Sequence, residues 1–179
     1  MQKERIGLIK FRNLDVTVIG EDLSNGDPAP EFTVQSSDWS EYEGLLKTSG
    51  KVRIIAALPS LDTEVCDRET RRFNLEAANL GEDIAILVIS MDLPYAQKRW
   101  CGAAGVDKVI VLSDHKSSDF GVKYGCLMKE VRLLRRAIFV VDPGGKVTYA
   151  AYMPALGVEP DYSAVLDAAK AALQQGAQR

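Results

Sequence analysis

One stretch decides how the chain folds: residues 52–66 read VRIIAALPSLDTEVC. The run from Val52 to Leu58 is apolar, which predicts a buried strand. Residues 67–80 then repeat apolar side chains at the 3.6-residue period of a helix. This order places Cys66 in the first turn of a helix that directly follows a buried strand.

The position of Cys66 has chemical consequences. Either Thr63 or Asp62 is a suitable N-cap for the helix. A thiol in the first turn faces unpaired backbone N–H groups and the positive end of the helix dipole, and both favour thiolate. The alternative is a small buried core cysteine, which is common for this residue type. Position alone leaves both interpretations open.

Length and composition indicate a single domain over residues 1–179, and the strand and helix periods indicate the α/β class. The chain has 46% hydrophobic residues, enough for a sizeable core. Its net charge of −3 gives no electrostatic reason to expect nucleic acid or an anionic membrane as partner. The N-terminus begins with the charged residues 1–5, and no stretch approaches the ~18 apolar residues of a membrane span. We therefore expect a soluble, cytoplasmic protein.

Further extended and helical segments complete the predicted order. Strand, helix and strand at this spacing imply a right-handed parallel crossover, and a C-terminal hairpin turns at 143–145. The predicted strands are 7–11 and 16–19 (an N-terminal hairpin), 31–34, 84–90, 109–112, 137–142 and 146–152, and the further helices are 94–104, 119–124 and 161–173.

Pro59, Thr63 and Cys66 fit the pattern Pro-x-x-x-Thr-x-x-Cys. This pattern resembles the active-site loop of the peroxiredoxins. The longer string PSLDTEVC over 59–66 is similar to one branch, the bacterial thiol peroxidases or atypical two-cysteine peroxiredoxins. The resemblance implies a thioredoxin-like fold with an N-terminal β-hairpin. It also implies a homodimeric enzyme that reduces hydrogen peroxide and organic hydroperoxides, takes electrons from thioredoxin and needs no metal or other cofactor.

The segment SMDLPYAQKRWC over 90–101 resembles the part of these enzymes that carries the resolving cysteine. The resemblance implies that Cys101 condenses with the sulfenic acid of Cys66 to form an intramolecular Cys66–Cys101 disulfide. The residues alone leave an incidental thiol as the alternative. On its helix, Cys101 is expected beside Gln97, away from an apolar face that contains Leu93 and Trp100.

The resemblance also assigns supporting roles. Pro59 would shield the reactive sulfur, and the Thr63 hydroxyl would lie near thiolate and peroxide, which is compatible with a helix N-cap. The string LLRRAIF over 133–139 is similar to the segment with the active-site arginine and puts Arg136 in register. Arg135 replaces a usual alanine, so it stays open which of the two guanidinium groups reaches the thiolate. The alternative is that these arginines only form a solvated charged edge of the protein.

The remaining candidate residues are Glu64, Cys126 and His115, and they bear on alternative interpretations of the site. Glu64 departs from the family pattern and brings a carboxylate close to the thiol. Cys126 is expected to be a core thiol. A zinc site would have to combine the three cysteines with His115, without any Cys-x-x-Cys pair. A non-enzymatic redox sensor using Cys66 and Cys101 is the remaining alternative, and turnover distinguishes it from an enzyme.

Overall fold

Two β-sheets and four helices make up the computed structural model, which describes residues 2–176. The strands are β1 (Glu4–Phe11), β2 (Leu14–Ile19), β3 (Thr33–Gln35), β4 (Glu41–Glu43), β5 (Val52–Ala57), β6 (Ile84–Ser90), β7 (Ile110–Ser113), β8 (Leu127–Met128), β9 (Leu133–Leu134), β10 (Ala137–Val141) and β11 (Val147–Tyr152). The helices are α1 (Glu64–Leu80), α2 (Pro94–Ala104), α3 (Asp119–Lys123) and α4 (Tyr162–Gly176).

The larger sheet has seven strands in the order β11-β10-β5-β6-β7-β3-β4. Strands β5, β6 and β7 are parallel, whereas β10 pairs antiparallel with both β5 and β11. The smaller sheet, β1-β2-β8-β9, extends the predicted N-terminal hairpin by two short strands that the sequence pattern does not indicate. The α/β class with a thioredoxin-like core is confirmed.

Both faces of the larger sheet are covered, which explains why its central strands are continuously apolar. Alternate residues of β5 point to opposite sides: Ile54 packs with α1 and α4, and Ile55 packs with the aromatic side chains near α3. Cys66 lies in the cluster on the first side, and Cys126 lies in the cluster on the second. The sheet therefore separates these two thiols.

The carboxyl ends of β5 and β6 lie side by side, since the two strands are parallel and in register from Val52–Ile84 to Ala57–Ile89. The backbone N–H of Leu58 continues the pairing by donating to Ile89 O at 3.0 Å. The loops that follow β5 and β6 consequently meet at one edge of the sheet, where α1 and α2 begin.

The predicted apolar face of α2 is confirmed in part: Trp100 and Ala104 pack against the core, but Leu93 does not. Leu93 is 48% exposed, whereas Gln97 is 1% exposed. The amide of Gln97 explains its burial, because its Nε2 donates to Ser90 Oγ at 3.0 Å and to Leu112 O at 2.7 Å. These two hydrogen bonds offset the burial of the amide nitrogen, while Gln97 Oε1 has no partner among the residues that the structure describes.

Membrane-spanning potential was assessed for the helices within 2–176. None of them combines the length and the apolar character needed to cross a bilayer.

Candidate active site

Cys66 is the third residue of α1 and is fully buried. The helix begins after Thr63, whose backbone is extended. The Thr63 hydroxyl does not cap the helix; it donates to Ser60 O at 2.9 Å and closes the turn between β5 and α1. Thr63 thus occupies the predicted N-cap position, but its side chain makes no capping hydrogen bond because the Ser60 carbonyl accepts its proton. Cys66 nonetheless lies in the first turn, where helix N–H groups have no intrahelical acceptor.

Arg136 binds the Cys66 sulfur directly. Its Nη2 donates to Cys66 Sγ at 3.0 Å, and its Nε donates to Leu156 O at 3.0 Å. Arg136 precedes β10, whose first residue Ala137 pairs with Ala57 at the end of β5. The antiparallel pairing thus carries the guanidinium to the edge of the sheet at which α1 starts.

Glu69 completes the buried cluster and was not singled out by the sequence pattern. Its carboxylate is fully buried and pairs with Nη1 of Arg136. Burial raises the pKa of Glu69 to about 7, and the charge and hydrogen bond of Arg136 oppose that rise. Glu69 lies three residues after Cys66, on the same helix face, so a charged residue at this spacing was the available signal.

A pocket of about 320 Å³ opens beside this cluster. Pro59, Thr63 and Arg136 line it, so the pocket brings three of the predicted site residues together next to Cys66. The remaining lining residues are largely apolar: Phe11, Ser60, Glu64, Val65, Leu133, Leu156 and Gly157. The Glu64 carboxylate is exposed and pairs with Arg68 at 2.8 Å, which offsets its charge near the thiol.

Arg135 points elsewhere. Its Nε donates to Gly125 O at 2.9 Å, its Nη2 pairs with Asp22, and its guanidinium lies 4.1 Å from the Tyr152 ring centroid. Of the two adjacent arginines, only Arg136 donates to Cys66.

Comparison with known proteins identifies the family. The family model described as Redoxin matches residues 24–166. A thiol peroxidase of Oceanobacillus iheyensis is 52% identical over 158 residues, which span 88% of this chain and 95% of the relative. A thiol peroxidase of Bacillus subtilis is 50% identical over 163 residues, or 91% and 96% of the two chains.

The chain belongs to the thiol peroxidase family. It is an enzyme of the peroxiredoxin type. A peroxiredoxin-like protein of Aquifex aeolicus superposes with a TM-score of 0.82 at 36% identity, covering 96% of this chain and 98% of that one. A thiol peroxidase of Chromobacterium violaceum has a TM-score of 0.80 at 21% identity, covers 93% and 97%, and supports the fold.

Cys101, which the family pattern predicts to be the resolving thiol, lies outside the Cys66 pocket. It is half-buried in α2 and lines a separate cavity of about 340 Å³. Burial raises the pKa of the Cys101 thiol. Both thiols are free, and the two helices that carry them are joined by Trp100 Nε1, which donates to Asp67 Oδ1 at 3.0 Å.

Cys126 is the third free thiol and is fully buried on the other side of the sheet. Burial raises its pKa to about 12, and its Sγ–H donates to Tyr124 O at 3.3 Å. The separation of Cys66 from Cys126 by the sheet rules out the four-ligand zinc site. Within 2–176, no three His, Cys, Asp or Glu side chains converge as metal ligands.

Proposed function

We propose that this chain reduces hydrogen peroxide and organic hydroperoxides with the Cys66 thiolate as nucleophile. The observation that carries the proposal is the 3.0 Å hydrogen bond from Arg136 Nη2 to Cys66 Sγ, beside a pocket lined by Pro59 and Thr63. A guanidinium adjacent to a sulfur stabilises its negative charge, and the thiolate is the reactive form.

The first step transfers one oxygen atom. The Cys66 thiolate attacks a peroxide oxygen, so that an S–O bond forms while the O–O bond breaks. Sulfur loses two electrons and becomes a sulfenic acid. The peroxide gains these electrons and leaves as water or as an alcohol after taking up a proton. Arg136 stabilises the charge that develops on the departing oxygen, a role suited to a charged hydrogen-bond donor.

The walls of the pocket favour organic hydroperoxides as well as hydrogen peroxide. Phe11, Val65 and Leu156 are among the lining residues, and they offer apolar contact to an alkyl chain. Thr63 lies at the same opening, and we assign it and Pro59 to positioning the peroxide and limiting water access.

Cys101 supplies the second thiol. Its sulfur attacks the sulfenic sulfur of Cys66; an S–S bond forms, the S–O bond breaks and water leaves. A thioredoxin dithiol then opens the disulfide by exchange and takes the oxidised form itself. This cycle prevents further peroxide from converting Cys66 irreversibly to sulfinic acid.

Disulfide formation requires local unwinding. The Cα atoms of a disulfide lie within about 7 Å of each other, whereas Cys66 is buried within α1 and Cys101 lines a different cavity in α2. We expect at least one helix to open, and the hydrogen bonds from Trp100 to Asp67 (3.0 Å) and from Arg71 to Ala104 O (3.1 Å) are among the contacts that resist it.

Turnover with a thioredoxin system tests the proposal. We expect catalytic loss of peroxide, whereas one equivalent consumed per chain would indicate the redox sensor instead. After peroxide treatment, peptide mapping should find Cys66 joined to Cys101 in a protein of monomer size under non-reducing conditions. A predominantly covalent dimer would show that the disulfide forms between chains.

Tryptophan fluorescence reports the unwinding step. In a Trp39→Phe background, Trp100 is the only remaining tryptophan. We expect peroxide to change its emission, and we expect no change after Cys101→Ser. Equal changes in both proteins would contradict helix opening by disulfide formation.

Homodimer formation and a cytoplasmic location are further parts of the proposal. Leu93 and Tyr95 are exposed apolar side chains near the start of α2, and a second copy would cover such a surface. Light scattering at micromolar concentration, which should give twice the chain mass, checks the dimer.

A further inference from the structure

The Asp92 carboxylate lies between the turn that leads into α1, the helix of Cys66, and the start of α2, the helix of Cys101. It follows β6, at the edge of the sheet where the loops after β5 and β6 meet. Its Oδ1 accepts from Ser60 Oγ at 2.7 Å, and its Oδ2 accepts from the backbone N–H of Leu61 at 2.9 Å. Asp92 therefore holds the turn that leads into α1.

That turn continues to Cys66. The carbonyl of Ser60 accepts from both the N–H and the hydroxyl of Thr63, at 3.1 and 2.9 Å. The Thr63 carbonyl in turn accepts from Asp67 N at 2.9 Å in the first turn of α1. An unbroken series of hydrogen bonds thus connects Asp92 to the turn of helix that contains Cys66.

A second series of hydrogen bonds, here called the α2 arm, leads from Asp92 through Ser90 and Gln97 toward Cys101. Ser90 Oγ donates to Asp92 Oδ2 at 2.7 Å and accepts from Gln97 Nε2 at 3.0 Å. Gln97 lies one helical turn before Cys101, so the two residues share a face of α2. Because Gln97 is 99% buried, it cannot leave this contact unless α2 moves.

The backbone of Asp92 is itself held in place. Its carbonyl accepts from Ser113 Oγ at 2.5 Å, which ties it to β7. The backbone of Asp92 is therefore anchored independently of the hydrogen bonds that its carboxylate makes to Ser60, Leu61 and Ser90.

We propose that Asp92 is a positioning residue that couples opening of the Cys66 segment to opening of the Cys101 segment. The proposal rests on the proposed function, in which both segments must rearrange for the disulfide to form. A donor to Ser90 Oγ polarises its O–H and strengthens the bond to Asp92. Loss of Gln97 when α2 unwinds therefore weakens the network that holds the turn at Ser60.

This coupling determines whether the Cys66 sulfenic acid forms the disulfide or is oxidised further to sulfinic acid. An intact network keeps both segments folded, which favours reaction with peroxide and delays disulfide formation. The delay gives a second peroxide time to oxidise Cys66 to sulfinic acid. Breaking the network should speed the disulfide and reduce over-oxidation.

Hydrogen exchange of the reduced protein tests coupling without any peroxide chemistry. Gln97→Met cuts the α2 arm: it removes the bond to Ser90 Oγ together with the bond from Gln97 Nε2 to Leu112 O, and it leaves the contacts of Asp92 with Ser60 and Leu61 in place. We expect exchange of the amides in 61–67 to rise at least about threefold, together with those in 97–101. A rise confined to 97–101 would overturn the proposal.

Asp114→Asn is the matched control. Asp114 is a buried carboxylate that accepts two backbone N–H bonds, from Phe120 at 3.1 Å and Gly121 at 2.7 Å. Its backbone N–H donates to Ser90 O at 2.9 Å, a bond that asparagine keeps, and its carboxylate bonds to no member of the network. We expect faster exchange around α3 and no change in 61–67. Equal acceleration of 61–67 in both variants would show general destabilisation and refute a specific link.

The second measurement is the ratio of disulfide to sulfinic acid at a fixed excess of peroxide. Asp92→Ala should raise this ratio several-fold, with Asp92→Asn as the size-matched variant if the alanine protein folds poorly. An unchanged ratio in a folded variant would overturn the role of Asp92. If the unsubstituted protein forms no Cys66–Cys101 disulfide, the proposed function fails, and the exchange measurement still decides the coupling.

Discussion

Cys66 and Cys126 lie on opposite sides of the larger sheet, and each is near a buried arginine that pairs with a carboxylate. On the first side, Arg136 pairs with Glu69 and donates to Cys66. On the second side, Arg135 pairs with Asp22 near Cys126, yet it donates to Gly125 O rather than to the sulfur. The residue types are the same, and the connections differ.

The difference indicates which of the two thiols is placed to meet a peroxide. A nearby positive charge does not suffice, because burial raises the pKa of Cys126 to about 12 even though Arg135 acts to lower it. Cys66 has a direct donor and an adjoining pocket that a peroxide can enter. Direct contact and access together distinguish the candidate nucleophile from the core thiol.

Replacing each cysteine by serine should give the largest difference in peroxide reduction between the two sides of the sheet. Cys66→Ser removes the nucleophile, and we expect peroxide reduction to fall by at least about 10³-fold. Cys126→Ser should keep activity within about twofold, because Cys126 lies on the other side of the sheet. Stopped-flow peroxide consumption measures both, with circular dichroism as the folding control. Loss of activity in a folded Cys126→Ser protein would reverse the assignment.

Removing the arginines one at a time is the next test. Arg136→Met should slow peroxide reduction by about 10²–10³-fold, as expected for loss of a charge-stabilising donor. Because loss of one partner of a buried pair costs about 3–5 kcal/mol, the Glu69→Gln/Arg136→Met double variant serves as the better-folded form.

Arg135→Met is the matched control for Arg136. Asp22 keeps a second partner, Arg5, at 2.8 Å, so the control should lose about 1–3 kcal/mol of stability and little activity. Equal activity losses in the Arg135 and Arg136 variants would remove the distinction between the two sides.

The smallest expected effect concerns pH. Burial raises the pKa of Glu69, on the Cys66 side, and of Asp114, on the Cys126 side, from 4.5 and 3.8 respectively to about 7. The folded state therefore retains protons that the unfolded state has released. The two protonated carboxyl groups therefore contribute to the free energy of unfolding below their pKa values in the unfolded chain. This contribution is lost as pH rises through about 7. Thermal unfolding across pH 4–8 should show the decline.

Two substitutions separate the contributions of these carboxyl groups. Glu69→Gln and Asp114→Asn should each flatten part of the decline in stability, and only Glu69→Gln should also change the pH profile of peroxide reduction. A steeper decline in either variant would contradict the raised pKa values.

Local pattern was sufficient for most elements of the fold. The apolar run before Cys66 and the helical period after it predict β5 and α1 correctly, because both signals lie within a few residues of each other. The short strands β8 and β9 were missed, since two residues carry no periodicity. The burial of Gln97 in α2 was also missed, because its hydrogen-bond partners lie on β6 and β7.

The sequence by itself determined the α/β class, the position of Cys66 at a helix start and, through the family pattern, the set Pro59, Thr63, Cys66, Cys101 and Arg136 as predicted site residues. Tertiary structure alone decided which arginine meets the sulfur. Arg136 and Cys66 are 70 residues apart, and the antiparallel register of β10 on β5 brings them together. The same long-range pairing placed Glu69 beside Arg136. The burial of a polar group and the partner it bonds to depend on strands that are distant in sequence. Helix and strand periods, in contrast, can be recognised from neighbouring residues.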